Sequence, residues 1–284
     1  MGEISVGDMP ESASGSSYAF DQFQPEYKQQ ELKRLEYKTN VLESIDRAAW
    51  QQADLQPDFK ILDIGCGVGT VSWQLAKVVP DGAVIGVDIS EAMIANAVSQ
   101  STSKNLEFKI GDAYCLDFPS NSFDMVHARF LLQHLAHPLH ALSELYRVLR
   151  PGGRLCVVDV DDSWFTLYPE PPSIHPFRQA ILAIQKEQGG DPFVGRKLFS
   201  YFRRAGLEDV ESRIRILGTA DCGTPTLMGL LSFGAPYYAN RPDFTAIAKQ
   251  AKHDVMALMQ QDELWASIGI LTATGQKSRS SQTG

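Results

Sequence analysis

The hydrophobic pattern changes character twice along the 284 residues. Residues 1–17 are rich in Ser, Gly and acidic groups and are expected to be disordered. Residues 26–53 carry Leu32, Leu35, Val41, Leu42 and Ile45 at helical spacing, which predicts one or two amphipathic helices ended by Pro57. From residue 60 the rhythm switches to short apolar runs separated by helical stretches. KILDI, AVIGVDIS, LEFKIGDA, FDMVHARF and RLCVVDV read as strands; TVSWQLAKVV, residues 91–100 and PLHALSELYRVL read as helices. Pro80-Asp81-Gly82 and Pro151-Gly152-Gly153 mark turns. Apolar strands alternating with helices predict a parallel sheet covered on both faces and joined by right-handed crossovers.

After residue 160 the pattern breaks again. Pro169, Pro171, Pro172 and Pro176 predict a loop over 163–176, followed by helices at 178–188 and 196–205, with Gly206 as a stop. Residues 208–217 (EDVESRIRIL) alternate like a strand, and IGILTATGQ near the end reads as another. The interval between them is too long for a hairpin. Its apolar runs, LMGLLSF and IAKQAKHDVMALM, predict a helical insertion over 218–264. The predicted organisation is therefore a helical segment at 18–56, a core at 57–217, the insertion, a final core strand at 265–275, and a disordered tail at 276–284.

Composition narrows the function classes. The length supports one substantial core, and 44% hydrophobic with 21% charged residues is ordinary for a globular chain. A formal net charge of -8 weighs against a dedicated nucleic-acid binder, which needs a basic face. The four cysteines, Cys66, Cys115, Cys156 and Cys222, show no CxxC spacing, so buried thiols in a reducing compartment are expected rather than disulfides or a zinc site. MGEISVGDMP has no secretory pattern, and Val6 stands where a myristoylation signal needs Ser or Thr. No apolar run reaches membrane-spanning length. The expectation is a cytoplasmic chain that works on a small molecule, without nucleic acid or membrane; the oligomeric state stays open, a homodimer being one option.

The chemistry concentrates at the strand ends. Asp63-x-Gly65-x-Gly67-x-Gly69 follows the first strand. Glycines there let the backbone take positive φ and let a ligand lie against the main chain, in the crevice beyond the strand carboxyl ends. A dinucleotide fingerprint has the spacing G-x-G-x-x-G, whereas here Thr70 fills its third position. An acid two residues before the first glycine would repel a pyrophosphate but suits a ligand with an ammonium and no phosphate, a description that S-adenosylmethionine (SAM) fits. Asp88 ends the second strand, where a carboxylate can accept from both ribose hydroxyls; Asp112 follows the third, in reach of an adenine amine. Each could instead be a helix cap, but three acids at successive strand ends beside a glycine loop argue for one ligand.

Residues 60–160 resemble the core of class I SAM-dependent methyltransferases, particularly those that methylate quinone precursors, polyketides and alkaloids. Asp63, Gly65, Gly67 and Gly69 match the family's first motif, Asp88 its ribose-binding acid, Asp112 and Ala113 its adenine position. The run FDMVHARFLLQHLAHP…ALSELYRVLRPGG matches its fourth-strand and Pro-Gly-Gly segments. The resemblance implies a Rossmann-like α/β fold: a seven-stranded, mostly parallel sheet with an antiparallel last strand, helices on both faces, a helical N-terminal lid and a helical substrate-lid insertion before the last strand. It implies SAM as cofactor, S-adenosylhomocysteine as product, and a cofactor site that also takes in Cys66, Ile89, Met93 and Arg129. YAFDQF…ELKRLEYK resembles segments that close over the cofactor, which makes Tyr18 and Arg34 candidate contacts to the methionine carboxylate. The chain lacks the Asn/Asp-Pro-Pro-Tyr motif of nucleobase amine methylases and the paired glutamates of protein arginine methylases, both of which act on macromolecules.

For the acceptor side the sequence leaves several readings. His134, just past the fourth strand, could be a general base or could anchor a loop. His134, His137 and His140 recur at intervals of three, but Pro138 starts a helix between them, so no metal site is expected. His127 lies inside a strand and reads as a buried, satisfied residue. Phe130, Asp161, His175, Tyr237 and Tyr238 are candidates for the substrate pocket. Two activities compete: methyl transfer to an O, N or C nucleophile of a metabolite, and a cofactor-binding protein of the same fold that catalyses a cyclisation or regulates a partner. A nicotinamide oxidoreductase is disfavoured by the glycine spacing.

Overall fold

The computed structural model describes residues 17–18, 20–23, 25–230, 241–261 and 263–279. The N-terminal periodicity forms one helix, α1 (Pro25–Gln52), entered from a 3-10 turn at Phe20–Gln22. The strand–helix alternation then runs β1 (Lys60–Ile64), α2 (Thr70–Val78), β2 (Ala83–Asp88), α3 (Glu91–Gln100), β3 (Leu106–Ile110), β4 (Phe123–Arg129), α4 (Pro138–Val148) and β5 (Leu149–Val160). The order β3-β2-β1-β4-β5 is parallel throughout. It reverses at β1, so β1 and β4 diverge around the crevice where ligands bind in open α/β sheets.

The C-terminal part comprises β6 (Thr166–Tyr168), α5 (Ile174–Glu187), α6 (Leu198–Arg204), β7 (Glu208–Gly218), α7 (Thr219–Cys222), α8 (Thr224–Leu230), α9 (Pro242–Gln260) and β8 (Trp265–Gln276). β8 runs antiparallel to β5 and to β7. The sheet has eight strands rather than the expected seven, because part of the predicted 163–176 loop pairs as β6 with the start of β8. Three strand-favouring residues, Thr166, Leu167 and Tyr168, stand just before the prolines that stop them. Pro151-Gly152-Gly153 does not precede β5 but bulges within it: Phe123 pairs with Leu149 and Met125 already with Arg154.

Alternate residues of each strand feed opposite faces. Ile61, Met125 and Cys156 join a cluster with Leu42, Ile45, Ala49 and Trp50 of α1, Leu75 of α2 and Phe177, Leu227 and Phe244 of α5, α8 and α9. Leu62, Val126 and Val157 join a second with Leu142 and Leu145 of α4 and Phe202 of α6. The insertion is helical as predicted where it is described, and Phe244 of α9 meets Phe177 of α5 with ring centroids 5.8 Å apart. The second half of α1 thus belongs to the core, while Arg34, Leu35, Lys38 and Thr39 before it face the crevice.

Candidate active site

The glycine loop is shaped by two different constraints. Gly69 has φ +78°, and a Cβ there would sit 2.5 Å from the Phe108 ring, so both conformation and packing exclude a side chain. Gly67 has φ +53° with nothing within 4 Å of a Cβ position, so its bare backbone faces open space. Asp88 braces this loop: one carboxylate oxygen accepts from the Gly67 N–H at 2.8 Å and the other from the Ser90 N–H at 2.9 Å. Burial raises the Asp88 pKa against those two hydrogen bonds. Ser90 caps α3 by accepting from the Met93 N–H and donates its hydroxyl to Asp21, which ties the N-terminal segment to the site.

Asp63 is 1% exposed. Ser72 donates to one of its oxygens at 2.5 Å, and the Nδ1 of His127 lies 2.8 Å from the other. The acid expected to greet an ammonium is therefore already a buried anchor beneath the loop, acting on a ligand mainly through its charge. His127 is satisfied at Nδ1; its Nε2 has no hydrogen-bond partner among the described residues. Asp112 accepts from the Tyr114 N–H at 2.8 Å in a tight local turn.

Asp63, Gly67, Asp88, Ser90 and Asp112 line a cavity of about 320 Å³, together with Gly65, Cys66, Ile89, Met93, Ala113, Arg129, Phe130, Tyr18, Arg34 and His134. The cofactor candidates named from the sequence thus line one cleft, except Gly69, which is packed against Phe108 instead. Its wall by β1–β3 is acidic and apolar; its wall by α1 is cationic. There Arg34 pairs with Glu31 at 2.6 Å, and the Tyr18 hydroxyl donates to the same carboxylate at 2.8 Å. Glu31 is pulled below the usual carboxylate range: burial opposes ionisation, but Arg34, Tyr18 and the Lys38 charge outweigh it. Arg129, 9% exposed at the end of β4, pairs with the fully buried Asp46 of α1 at 3.0 Å and pins the helix to the sheet.

His134 departs from the general-base reading. Its Nδ1 is hydrogen-bonded with the Ser17 hydroxyl at 2.8 Å, and its carbonyl accepts from the Ser17 N–H at 3.0 Å. Burial, with the charges of Lys38 and Arg34, lowers its pKa to about 3. An imidazole that weak takes up little proton near neutrality, so the loop-anchoring reading fits this geometry. His137 and His140 instead flank Tyr114. Among the described residues no three metal-ligating side chains cluster.

A second cavity of about 200 Å³ adjoins the first, sharing Lys38, Gln133, Ile181, Gln185 and Leu230. Its walls are mainly apolar, from Leu42, Phe165, Ile174, Phe177, Ile268 and Ile270. Asp161 lines it, but its carboxylate is held by the Arg196 guanidinium at 2.5 and 2.7 Å and by Ser163. Burial works against that ionisation, yet the Arg196 and Ser163 hydrogen bonds bring the pKa to about 2. His175 is exposed on α5 and lines neither cavity, because the helix turns Ile174 and Phe177 inward instead. Tyr237 and Tyr238 lie outside the described residues.

The sequence reading passed over Lys38, Glu31 and Asp46, and of the acids ending the fifth strand, Asp159, Asp161 and Asp162, it singled out Asp161. Lys38 stands one turn beyond Arg34, so helical spacing alone could have marked it. Asp46 is a fully buried carboxyl whose partner, Arg129, lies far along the chain, while the equally buried Asp159 accepts from the adjacent Val160 N–H and from the distant Gln133 N–H. Burial raises Asp159 to about 7, against hydrogen bonds from the N–H groups of Val160, Gln133 and Leu132 and the charge of Lys38.

The two-ended cleft fits SAM. A bare backbone at Gly67, apolar contacts at Ile89 and Met93 and the acids Asp88 and Asp112 suit an adenosyl group; the Arg34 guanidinium on α1 suits a carboxylate.

A model of a methyltransferase domain matches residues 55–190. A demethylmenaquinone methyltransferase of Symbiobacterium thermophilum is 33% identical over 191 residues, 59% of this chain and 76% of that protein. An uncharacterised methyltransferase of Schizosaccharomyces pombe is 36% identical over 148 residues, 49% of this chain and 53% of its own. The chain spans about half the length of this relative and of one from Streptomyces fradiae, 53% and 45%. The phosphoethanolamine N-methyltransferase 2 of Haemonchus contortus superposes with a TM-score of 0.59 at 17% identity, over 92% of this chain and 60% of the other.

Proposed function

The chain belongs to the class I SAM-dependent methyltransferase family, and from that premise we propose that it methylates a small, largely apolar metabolite of the quinone or natural-product kind. The observation that carries this reading is the pair of adjoining cavities: one polar and two-ended beside the glycine loop, the other apolar beneath α5 and the 218–264 insertion. An apolar pocket of about 200 Å³ suits a ring compound and is too small for a folded macromolecule. The -8 net charge agrees. So does the relative named for demethylmenaquinone. No helix among the described residues is long and apolar enough to cross a membrane.

When bound, SAM supplies an electrophilic methyl group on a sulfonium. Asp88 and Asp112 would hold the adenosyl end, with Ile89 and Met93 against its apolar faces. Arg34, kept in place by Glu31, and Tyr18 would meet the methionine carboxylate. The two cavities share Lys38, Gln133, Ile181, Gln185 and Leu230, so an acceptor seated in the second would meet the first along these residues. Catalysis then rests chiefly on holding two reactants in line, worth up to about 7–11 kcal/mol of barrier in well-oriented systems. Helices α1, α5 and α8, which line the two cavities, would act as the cover that excludes water.

Titration calorimetry with SAM and S-adenosylhomocysteine tests the cofactor assignment: saturable heat with both is expected, and none with either sinks it. Turnover of radiolabelled methyl groups into reduced quinone and phenol acceptors tests the transfer. Binding without transfer to any acceptor would favour cyclisation or regulation instead.

A further inference from the structure

Lys38 occupies a position that the family reading does not use. It projects from α1 into the junction of the two cavities and lines both. Its Nζ sits 3.4 Å from the centre of the Phe130 ring. Phe130 itself is held at φ +52°, a conformation costly for a bulky residue, immediately after β4. Among the described residues no carboxylate lies within ion-pair reach of Lys38. Glu31, on its own helix, is taken by Arg34; Asp46 is taken by Arg129. The other ionisable groups facing it are the guanidiniums of Arg34 and Arg129, His134, and Asp159 behind the Gln133 backbone. Burial foremost, then Arg34 and Arg129, hold the amine well below the ordinary lysine range, against the pull of Asp159 and Glu31.

We propose that Lys38 is a catalytic residue of the acceptor site, its amine receiving the proton of an acidic hydroxyl on a ring compound seated in the apolar cavity. The acceptor class is thereby a phenol or enol rather than an amine. In the step, the substrate O–H bond breaks, an N–H bond forms on Lys38, and the electron pair stays with oxygen, or spreads into the ring where carbon is the nucleophile. Asp159 offsets the new ammonium, which returns its proton to water through the cavity mouth after product leaves. The Phe130 face keeps the amine directed and tolerates the charge once it forms.

This inference rests on the methyltransferase reading, and the test separates the two. The protein saturated with S-adenosylhomocysteine is mixed with 4-nitrophenol in mildly acidic buffer, where the free probe is mostly the colourless phenol. With the native chain the bound probe is expected to show the yellow phenolate band; with Lys38→Met it is expected to show the phenol band, while affinity for S-adenosylhomocysteine changes less than twofold. Competitive acetylation read by mass spectrometry supplies the second measurement. Lys38 is expected to react at lower pH than the exposed Lys33 and to be protected by the probe. A phenol band with the native chain, a phenolate band with Lys38→Met or Lys38→Gln, no bound probe, or a Lys38 acetylation profile matching Lys33 each overturns the proposal. Failure of S-adenosylhomocysteine to bind is a different result and removes the cofactor assignment itself.

Discussion

The two ends of the cleft are built in opposite ways. The end proposed for the adenosyl group is made of backbone and nearby contacts: a glycine turn, an acid bracing it from the next strand, a serine capping the next helix. The α1 end is made of side chains brought from far apart, such as Arg129 against Asp46 and His134 against Ser17. The first is rigid because the sheet dictates it. The second holds only while α1 and the N-terminal segment stay docked, so the adenosyl end should resist perturbation better than the end where chemistry occurs.

The largest effect expected is Gly69→Ala. A Cβ 2.5 Å from Phe108 at φ +78° must displace a packed ring, at about 2–4 kcal/mol. Thermal unfolding should fall by about 10 °C in a chain of this size. Gly67→Ala, with open space for its Cβ, should lose much less stability and instead weaken S-adenosylhomocysteine binding; equal losses of stability in both would undo the distinction drawn between them. Next comes Asp88→Ala, which removes a charged acceptor from ligand and loop together. Calorimetry should show affinity reduced about 10- to 100-fold, the range for hydrogen bonds to a charged group.

The α1 end predicts a pH balance. His134 has a folded pKa lowered to about 3, so it contributes stability above the unfolded value near 6.5 that drains away as pH falls towards 3. Asp159 has a folded pKa raised to about 7, so it contributes stability fully present below the unfolded value near 3.8 and lost as pH rises through 7. Between about pH 4 and 6.5 the two slopes oppose each other. Urea titrations across that window should be nearly flat for the native chain, rising with pH for Asp159→Asn and falling with pH for His134→Asn. Parallel curves for all three would show that neither group is shifted. The smallest effect is His175→Ala, an exposed position outside both cavities, expected within about 0.5 kcal/mol and without change in ligand affinity.

The strand-end acids were legible because sequence position alone places them: the parallel neighbours β1, β2 and β3 bring Asp63, Asp88 and Asp112 to one edge of the sheet whatever surrounds them. Even so, the sequence could not show that Asp63 is consumed by Ser72 and His127, since those partners come from a helix and another strand. The place of His134 after β4 left a base and a loop anchor both open, and its desolvation against Ser17 and Tyr18 is visible only once the N-terminal segment is docked.

What the sequence alone determined, then, was the alternation of apolar strands with helices, hence the parallel sheet, its crevice and the ligand class that a glycine loop among acids admits. The periodicities of strand and helix are local, and a ligand held by backbone needs little else. Only the tertiary structure decided which charges are spent on each other and which are left over for chemistry. Proton affinities follow from burial and from neighbours distant in the chain, so Lys38 acquires its character only where α1, β4 and β5 meet.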